Sequence, residues 1–467
     1  MEKTPRQLYY RKRAYDGLLV TLYISLVIIG WLMLYSATAR EWMGSASFWS
    51  SSMGKQTLWL VLAVGVFWLF QIVEWKYWFR TAYLFYALGI VLLVIVLIWG
   101  REIKGARSWL YFGGWGFQPS EVAKFTTLLG LSAYLSHYGT DMRRRASQLV
   151  AAGLVMMPAV LVALQPDWGT AMVFSAFVLV FYRAGLPVEY FIVGAVAVMG
   201  LLGGLLVGWL KMGVVVSVLY SLVVVWSARR WRWVWLLWLL GVGGLVYVHF
   251  WGGKEWEWIV GLYHLLVAEL VLFIRRWYRW AVVGAGLVLM AVGLAWSSEF
   301  AFREVLKPHQ QERINVWLFP HKADPQGSAY NVLQSKLAIG SGGLWGKGFR
   351  KGRMTELNYV PEQTTDFIFT TVGEEQGFVG SVAVLAIFLM LMWRLVVLAE
   401  RVEHDFMRFY LYGVASLLFF HVFVNVGMTL GLVPIIGIPL PFISQGGSAL
   451  VVFSLMLAVA LRMGREA

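Results

Sequence analysis

The residue best placed to do chemistry is Asp366. It stands where a long polar stretch gives way to Phe367-Ile368-Phe369. A carboxylate at a lipid–water boundary, beside apolar neighbours, is partly desolvated and is a better proton acceptor for it. Glu362, Glu374 and Glu375 are close in sequence. The plainer reading is an aspartate that caps the helix after it. Cations that could face a negatively charged group lie in Lys104-Gly-Ala-Arg107-Ser-Trp109, which runs on to Gln118-Pro-Ser120-Glu121-Val-Ala-Lys124. Pro119 suits the first position of a helix and Ser120 a cap. Glu121 and Lys124, three apart, share one helix face. They read either as a simple ion pair or as site residues, because charge at the start of an apolar run is expensive.

Three further stretches concentrate polar groups. Gln165-Pro-Asp167-Trp-Gly-Thr170 forms a turn, with Asp167 readable as a helix cap. The segment from Asp324 carries Gly340-Ser-Gly-Gly343 and Gly346-Lys347-Gly348, then Val360-Pro-Glu362-Gln-Thr-Thr-Asp366. Glycine lets backbone approach a ligand, and backbone amides with a lysine suit a pyrophosphate. Val433-Pro434-Ile-Ile-Gly437-Ile-Pro439-Leu-Pro441-Phe-Ile-Ser444-Gln-Gly446-Gly447-Ser448 breaks the helix between two apolar runs. Irregular backbone at membrane depth must be surrounded by protein or line a watery cavity, so this loop is expected to border one.

The elements that hold these residues are spans. The chain has 467 residues, of which 60% are hydrophobic and 14% charged, with a mean hydropathy of +0.68; a soluble domain is about a quarter charged. The net charge of +14 lies mostly in short gaps between apolar runs, which argues against nucleic acid as a partner. With no cysteine, disulfides and thiolate metal sites are excluded. The basic N-terminus (Arg11, Lys12, Arg13) precedes a run read as a retained span, not a cleaved signal. Apolar runs of spanning length predict fourteen helices, near 17–36, 57–73, 79–99, 120–136, 148–164, 169–184, 190–210, 212–227, 231–250, 257–274, 280–298, 376–398, 408–430 and 440–462. Every second gap is rich in arginine (Arg143, Arg144 and Arg145; Arg275, Arg276 and Arg279), so both termini are expected in the cytoplasm. The chain divides into an N-terminal membrane half (1–189), a Trp-rich segment (190–279), one span (280–298), a large extracytoplasmic loop (299–375) and C-terminal spans with the Pro/Gly loop (376–467). Within the Trp-rich segment Glu269 falls inside a span, where an ionisable group is either functional or satisfied by a hydrogen bond to His264 or to a neighbouring helix.

Taken together, Gly105-Ala-Arg107-Ser-Trp109, Phe117-Gln-Pro-Ser-Glu-Val-Ala-Lys124, Gln165-Pro-Asp167-Trp-Gly-Thr170, Leu306-Lys-Pro-His-Gln-Gln-Glu-Arg-Ile314, Pro361-Glu-Gln-Thr-Thr-Asp-Phe-Ile-Phe369 with Gly373-Glu-Glu, and the loop ending at Gly447 resemble the SEDS family of cell-wall glycosyltransferases. RodA, FtsW and their sporulation relative are its members. The Leu306–Ile314 stretch and Gly431-Leu-Val-Pro434 look most like RodA. The resemblance implies an all-α polytopic bundle, here of about fourteen transmembrane helices, ten family spans plus about four inserted in the Trp-rich region. Gln445 stands where the family usually has an aromatic residue.

The resemblance further implies a peptidoglycan polymerase of the bacterial inner membrane that joins lipid II into β-1,4 glycan during elongation and releases undecaprenyl diphosphate, by inverting transfer. The family's essential aspartate maps onto Asp366. Arg107, Trp109, Gln118, Ser120, Glu121, Lys124, Lys347, Glu362, Ser444, Gly446 and Gly447 are the expected substrate-binding set, with Arg107 and Lys124 the leading cations for the pyrophosphate. No cofactor is fixed; a divalent cation (Mg or Mn) would serve by clamping phosphate oxygens, although the sequence holds no dedicated carboxylate cage. Expected partners are lipid II, the undecaprenyl-pyrophosphate-linked glycan, a class B penicillin-binding protein transpeptidase and other elongation-complex membrane proteins. The rival class is a lipid II flippase, which would need polar groups deep in the spans rather than gathered at one boundary.

Overall fold

The computed structural model describes residues 15–39, 48–103, 105–112, 115–228, 232–250, 257–306, 308–319 and 329–466. Arg11, Lys12, Arg13, Lys104, Lys307 and Asp324, singled out above, lie outside these residues. The described chain forms two compact units, one of residues 1–186 with 319–467 and one of residues 187–318.

The first unit contains α1 (Gly17–Ala37), α2 (Ser52–Leu69) and α3 (Trp75–Trp99). A sheet of three short strands follows, β1 (Arg101–Ile103), β2 (Ala106–Phe112) and β3 (Trp115–Phe117). Next come α4 (Pro119–Leu135), α5 (Arg145–Ala163) and α6 (Trp168–Arg183), the last tightened into a 3₁₀ turn at Phe174–Phe177. The second unit holds α7 (Val188–Val207), α8 (Trp209–Ser227), α9 (Arg232–Phe250), α10 (Glu257–Ile274), α11 (Tyr278–Phe300) and α12 (Pro308–Leu318). The chain returns to the first unit through α13 (Tyr330–Ser341), α14 (Arg353–Glu356), α15 (Ile368–Arg401), α16 (Asp405–Thr429) and α17 (Gly447–Gly464). Ten of the described helices are long and apolar enough to cross a membrane, and three shorter apolar ones accompany them.

In the first unit α16 and α17 are the most enclosed spans. Lipid tails are as apolar as leucine, so close packing and interhelical hydrogen bonds hold such a bundle more than burial from water does. Tyr23 of α1 donates to Ser454 Oγ of α17 at 2.8 Å, and Tyr410 of α16 to the Met456 carbonyl at 3.1 Å. Gly30 lets α1 lie against the backbone of Phe442–Ile443, leaving no room for a Cβ.

Three features depart from the sequence reading. Residues 101–117 pair as antiparallel strands, Arg101 with Trp109 and Leu110 with Phe117. The stretch 299–375 is not one loop: it contributes α12, α13 and α14, and its end is already the start of α15. Finally, α15 begins at Ile368, ahead of the expected 376, because it is two helices joined at Gly377, whose φ of 66° and ψ of −162° are non-helical.

The second unit has its own polar contacts. Tyr220 of α8 donates to Glu269 Oε1 of α10 at 3.0 Å. His264 Nδ1 meets Ser221 Oγ at 3.2 Å, and the same oxygen accepts from the Trp238 indole at 3.0 Å. Glu269 is therefore satisfied by the neighbouring helix, and His264 serves a different partner.

Candidate active site

Asp366 occupies the last turn before α15, half-buried. Its amide donates to the Glu362 carbonyl at 3.0 Å, so the peptide leading into the helix is a closed turn. Glu362 itself is exposed, at a positive φ of 57°. Opposite stands Gly437 of the Pro/Gly loop, at φ 77°, where a methyl would sit 3.2 Å from Asp366 Oδ2. The loop is laced to the turn: the Gln445 amide donates to the Thr364 carbonyl at 2.8 Å.

Two side chains of α16 that the sequence reading passed over organise this region. Asn425 donates through Nδ2 to the Asp366 carbonyl at 2.9 Å and to the Ile438 carbonyl at 2.8 Å. One helical turn earlier, His421 meets the Pro439 carbonyl with Nδ1 at 3.0 Å and Lys124 Nζ with Nε2 at 3.1 Å. An ammonium can only donate, so Nε2 accepts and Nδ1 carries the proton that goes to Pro439. Each residue thus holds one end of the Ile438–Pro439 bond, and on the far side one grips the backbone of Asp366, the other the ammonium of Lys124. Their signal was available, since polar and ionisable groups inside a span are costly and need a reason.

Lys124 and Glu121 form the ion pair their spacing allows, Nζ to Oε1 at 2.7 Å, with side chains 0% and 3% exposed. Lys124 also lies over the Phe453 ring, 5.4 Å from its centroid. Enclosed in this way, Lys124 acts on its neighbours. Ser120 is equally buried. Gln118 joins three elements: its amide donates to Ser448 Oγ at 3.2 Å and its Nε2 to Asp167 Oδ2 at 3.1 Å. Asp167 caps α6, accepting from the Thr170 amide at 3.1 Å and hydroxyl at 2.9 Å. The sheet rests on the same turn, the Arg107 amide donating to the Gln165 carbonyl at 3.1 Å. The Arg107 side chain is exposed and 3.6 Å from Glu102, an exposed pair worth little in stability. The half-buried Trp109 ring covers Gly116.

Of the remaining expected residues, Ser444 is buried and its hydroxyl accepts from the Leu440 amide at 2.8 Å. The Gly446 amide donates to Gln56 Oε1 at 3.3 Å, and Gly447 abuts the Trp59 ring of α2. Lys347 is placed elsewhere. It pairs with the fully buried Glu374 at 2.6 Å, on α15 roughly two turns beyond Asp366. Glu374 also accepts from the Met354 amide (3.0 Å), the Thr355 amide (2.8 Å) and the Thr355 hydroxyl (2.7 Å).

The glycine-rich segment does not form the ligand cradle that its composition suggested. The amides of Lys347 and Gly348 donate to the carbonyls of Glu374 and Glu375 at 3.0 and 2.9 Å. The carbonyls of Gly343 and Leu344 accept from Phe378 and Val379 at 2.9 and 3.1 Å. A Cβ on Gly342 or Gly346 would collide with the backbone of Gly373 or Glu375. These glycines let one strand of backbone approach another, and the segment repairs the hydrogen bonds that α15 loses at Gly377.

Comparison with known proteins places the arrangement. The family model described as Cell cycle protein, FtsW/RodA/SpoVE, matches residues 16–209 and 259–467. The chain belongs to the FtsW/RodA/SpoVE family. The peptidoglycan glycosyltransferase RodA of Treponema pallidum is 30% identical over 97% of this chain and 98% of its own. Stage V sporulation protein E of Bacillus subtilis is 29% identical over 97% and 98%. Among solved structures, a chain of a peptidoglycan synthase complex, described as coordinating polymerization and crosslinking, aligns with a TM-score of 0.63 and 28% identity over 97% of this chain and 98% of its own. The rod shape determining protein RodA of Thermus thermophilus aligns with a TM-score of 0.55 and 25% identity, over 97% of each chain. The family model leaves residues 210–258 unmatched. That stretch lies inside the Trp-rich segment and holds α8 and α9, two of the helices expected to be surplus to the SEDS bundle.

Proposed function

We propose that this protein is a peptidoglycan glycosyltransferase that joins lipid II units, with Asp366 as the general base. The observation that carries the reading is the setting of Asp366: a half-buried carboxylate facing Gly437 of an irregular loop, its main chain pinned by Asn425. A base held by its backbone keeps one position from which a hydroxyl at hydrogen-bond reach can be deprotonated.

In the reaction, Asp366 removes the proton of the acceptor sugar's 4-hydroxyl as that oxygen attacks the anomeric carbon of the lipid-linked glycan. The bond from that carbon to the carrier's pyrophosphate breaks, the configuration inverts, and undecaprenyl diphosphate leaves with the electron pair. Arg107 is the exposed cation available to the developing charge, and a guanidinium suits phosphate oxygens. Lys124 contributes through His421 by fixing the loop beside Asp366. Among the described residues no three His, Asp or Glu side chains form a metal cluster. A Mg or Mn ion would therefore lean on the substrate's own phosphates, with Asp366 as the carboxylate this chain could offer, and would stabilise charge on the leaving group. The alternating arginine-rich gaps support cytoplasmic termini, with Asp366 at the outer face of the inner membrane, and a class B penicillin-binding protein as the crosslinking partner.

The test is gel analysis of glycan made from lipid II in detergent, where nothing has to cross a membrane. Asp366→Asn is expected to lose at least about 100-fold in rate, the lower end for a positioned base. Normal polymerisation by the purified variant removes the assignment.

A further inference from the structure

The second unit carries a cavity of about 320 Å³ between α7, α8, α10 and α11. Its walls are apolar, from Ile192 and Val193 on α7, Val223 on α8, Leu272 on α10, and Val283 and Leu287 on α11. Tyr220 lies flat over Gly284, where any Cβ would collide with the ring, so the phenol forms part of the wall. The volume is within the range of small-ligand sites. Along α11 the lining runs from Trp277 to Leu287, a rise of about 15 Å. That is half of a hydrocarbon core about 30 Å thick, the depth of one leaflet.

One end of the cavity is charged. Ser227 lines it, and Arg275 donates to the Ser227 carbonyl at 2.8 Å and hydroxyl at 3.0 Å, which puts this guanidinium at the rim. Arg275 stacks on Trp277, a lining residue, at 4.1 Å. Arg276, in the turn from α10 to α11, and Arg279, in the first turn of α11, are both exposed and lie within two residues of Trp277. Arg275 is the cation tied to this rim and Glu189 the acidic group among the lining residues, with Arg276 and Arg279 adding two positive charges close by in sequence. Two lining tryptophans, Trp277 and Trp280, stand at the same end, where indoles favour the headgroup level.

We propose that this cavity is a binding site for an anionic phospholipid. One acyl chain lies along α11, and the phosphate is held by Arg276 and Arg279 beside Arg275. The cavity is built in part by α8, which the family model leaves almost wholly unmatched, and all its lining residues belong to the second unit.

The experiment is native mass spectrometry of the full-length protein titrated with phosphatidylglycerol or with phosphatidylcholine of the same chains. The wild type is expected to hold phosphatidylglycerol more tightly. The double variant Arg276→Gln/Arg279→Gln should lose about 25-fold in that affinity, about fivefold for each arginine, and no longer prefer it. Val223→Trp, at a lining position 70% exposed, adds bulk to the wall and should weaken both lipids. Polymerisation from lipid II reports that each variant is folded. Equal binding of the two lipids by the wild type, unchanged preference in the double variant, or a bound polypeptide in place of lipid overturns the proposal.

Discussion

Lys124→Met should cost this protein most of a buried charge interaction. Lys124 and Glu121 are enclosed, and the ammonium is the partner of Glu121 Oε1, while Oε2 has no hydrogen bond among the described residues. Replacing the lysine leaves a carboxylate with no donor to either oxygen and strips His421 Nε2 of its donor. Breaking a buried pair from one side costs about 3–5 kcal/mol. Removing both charges, Glu121→Gln with Lys124→Met, takes away the stranded carboxylate and should restore about 2–3 kcal/mol, a coupling typical of directly contacting residues. The assay is equilibrium unfolding in mixed micelles with a rising fraction of denaturing detergent, followed by far-UV circular dichroism. The same samples are tested for glycan synthesis. A loss below about 1 kcal/mol for the single variant, or a double variant no more stable than the single one, would refute the claim that this pair is sealed and mutually dependent.

Lys347→Met is expected to be milder, about 1–2 kcal/mol in the same assay, because three other donors still serve Glu374. Gly346→Ala forces a side chain into a residue at φ 79° and against the Glu375 carbonyl, and should destabilise by about 2–3 kcal/mol, read from the unfolding midpoint. Asn425→Leu keeps the volume but frees the Asp366 and Ile438 carbonyls; the expected outcome is a drop of at least about tenfold in kcat with KM little changed, measured by product gels over a range of lipid II concentration.

The spans were legible because apolar runs of about 20 residues are a signal few other structures produce. Ten of the expected runs overlap helices long and apolar enough to cross a membrane, and three more overlap the shorter α6, α9 and α10. The run at 120–136 forms α4, which is among neither, and the last helix starts only at Gly447, after the Pro/Gly loop. What escaped was polar structure at the margins. Thr370, Thr371, Glu374 and Glu375 made the start of α15 look like loop, whereas their partners are Ser335, Gln363, Lys347 and Ser36, of which all but Gln363 are distant in sequence. The strands around Trp109 are too short and too rich in aromatics and glycine for alternation to show. In the site, Asp366 could be read from its position at a boundary, and Asp167 as a cap. His421 and Asn425 were hidden by the hydropathy of α16, because a window average dilutes one histidine and one amide among apolar neighbours. The glycines of 340–348 illustrate the converse: composition gives closeness of approach, and only the fold tells what approaches.

The break at Gly377 has a mechanical consequence. The short segment that follows Asp366 is fastened by its carbonyls to residues 347 and 348, while the long membrane-crossing segment starts afresh with its own amide anchors at 343 and 344. A change in bilayer thickness changes the tilt of a long helix. Here such a tilt can turn about the glycine hinge, and the stub that follows Asp366 keeps its place, so the position of this carboxylate is insulated from the thickness of the membrane around it.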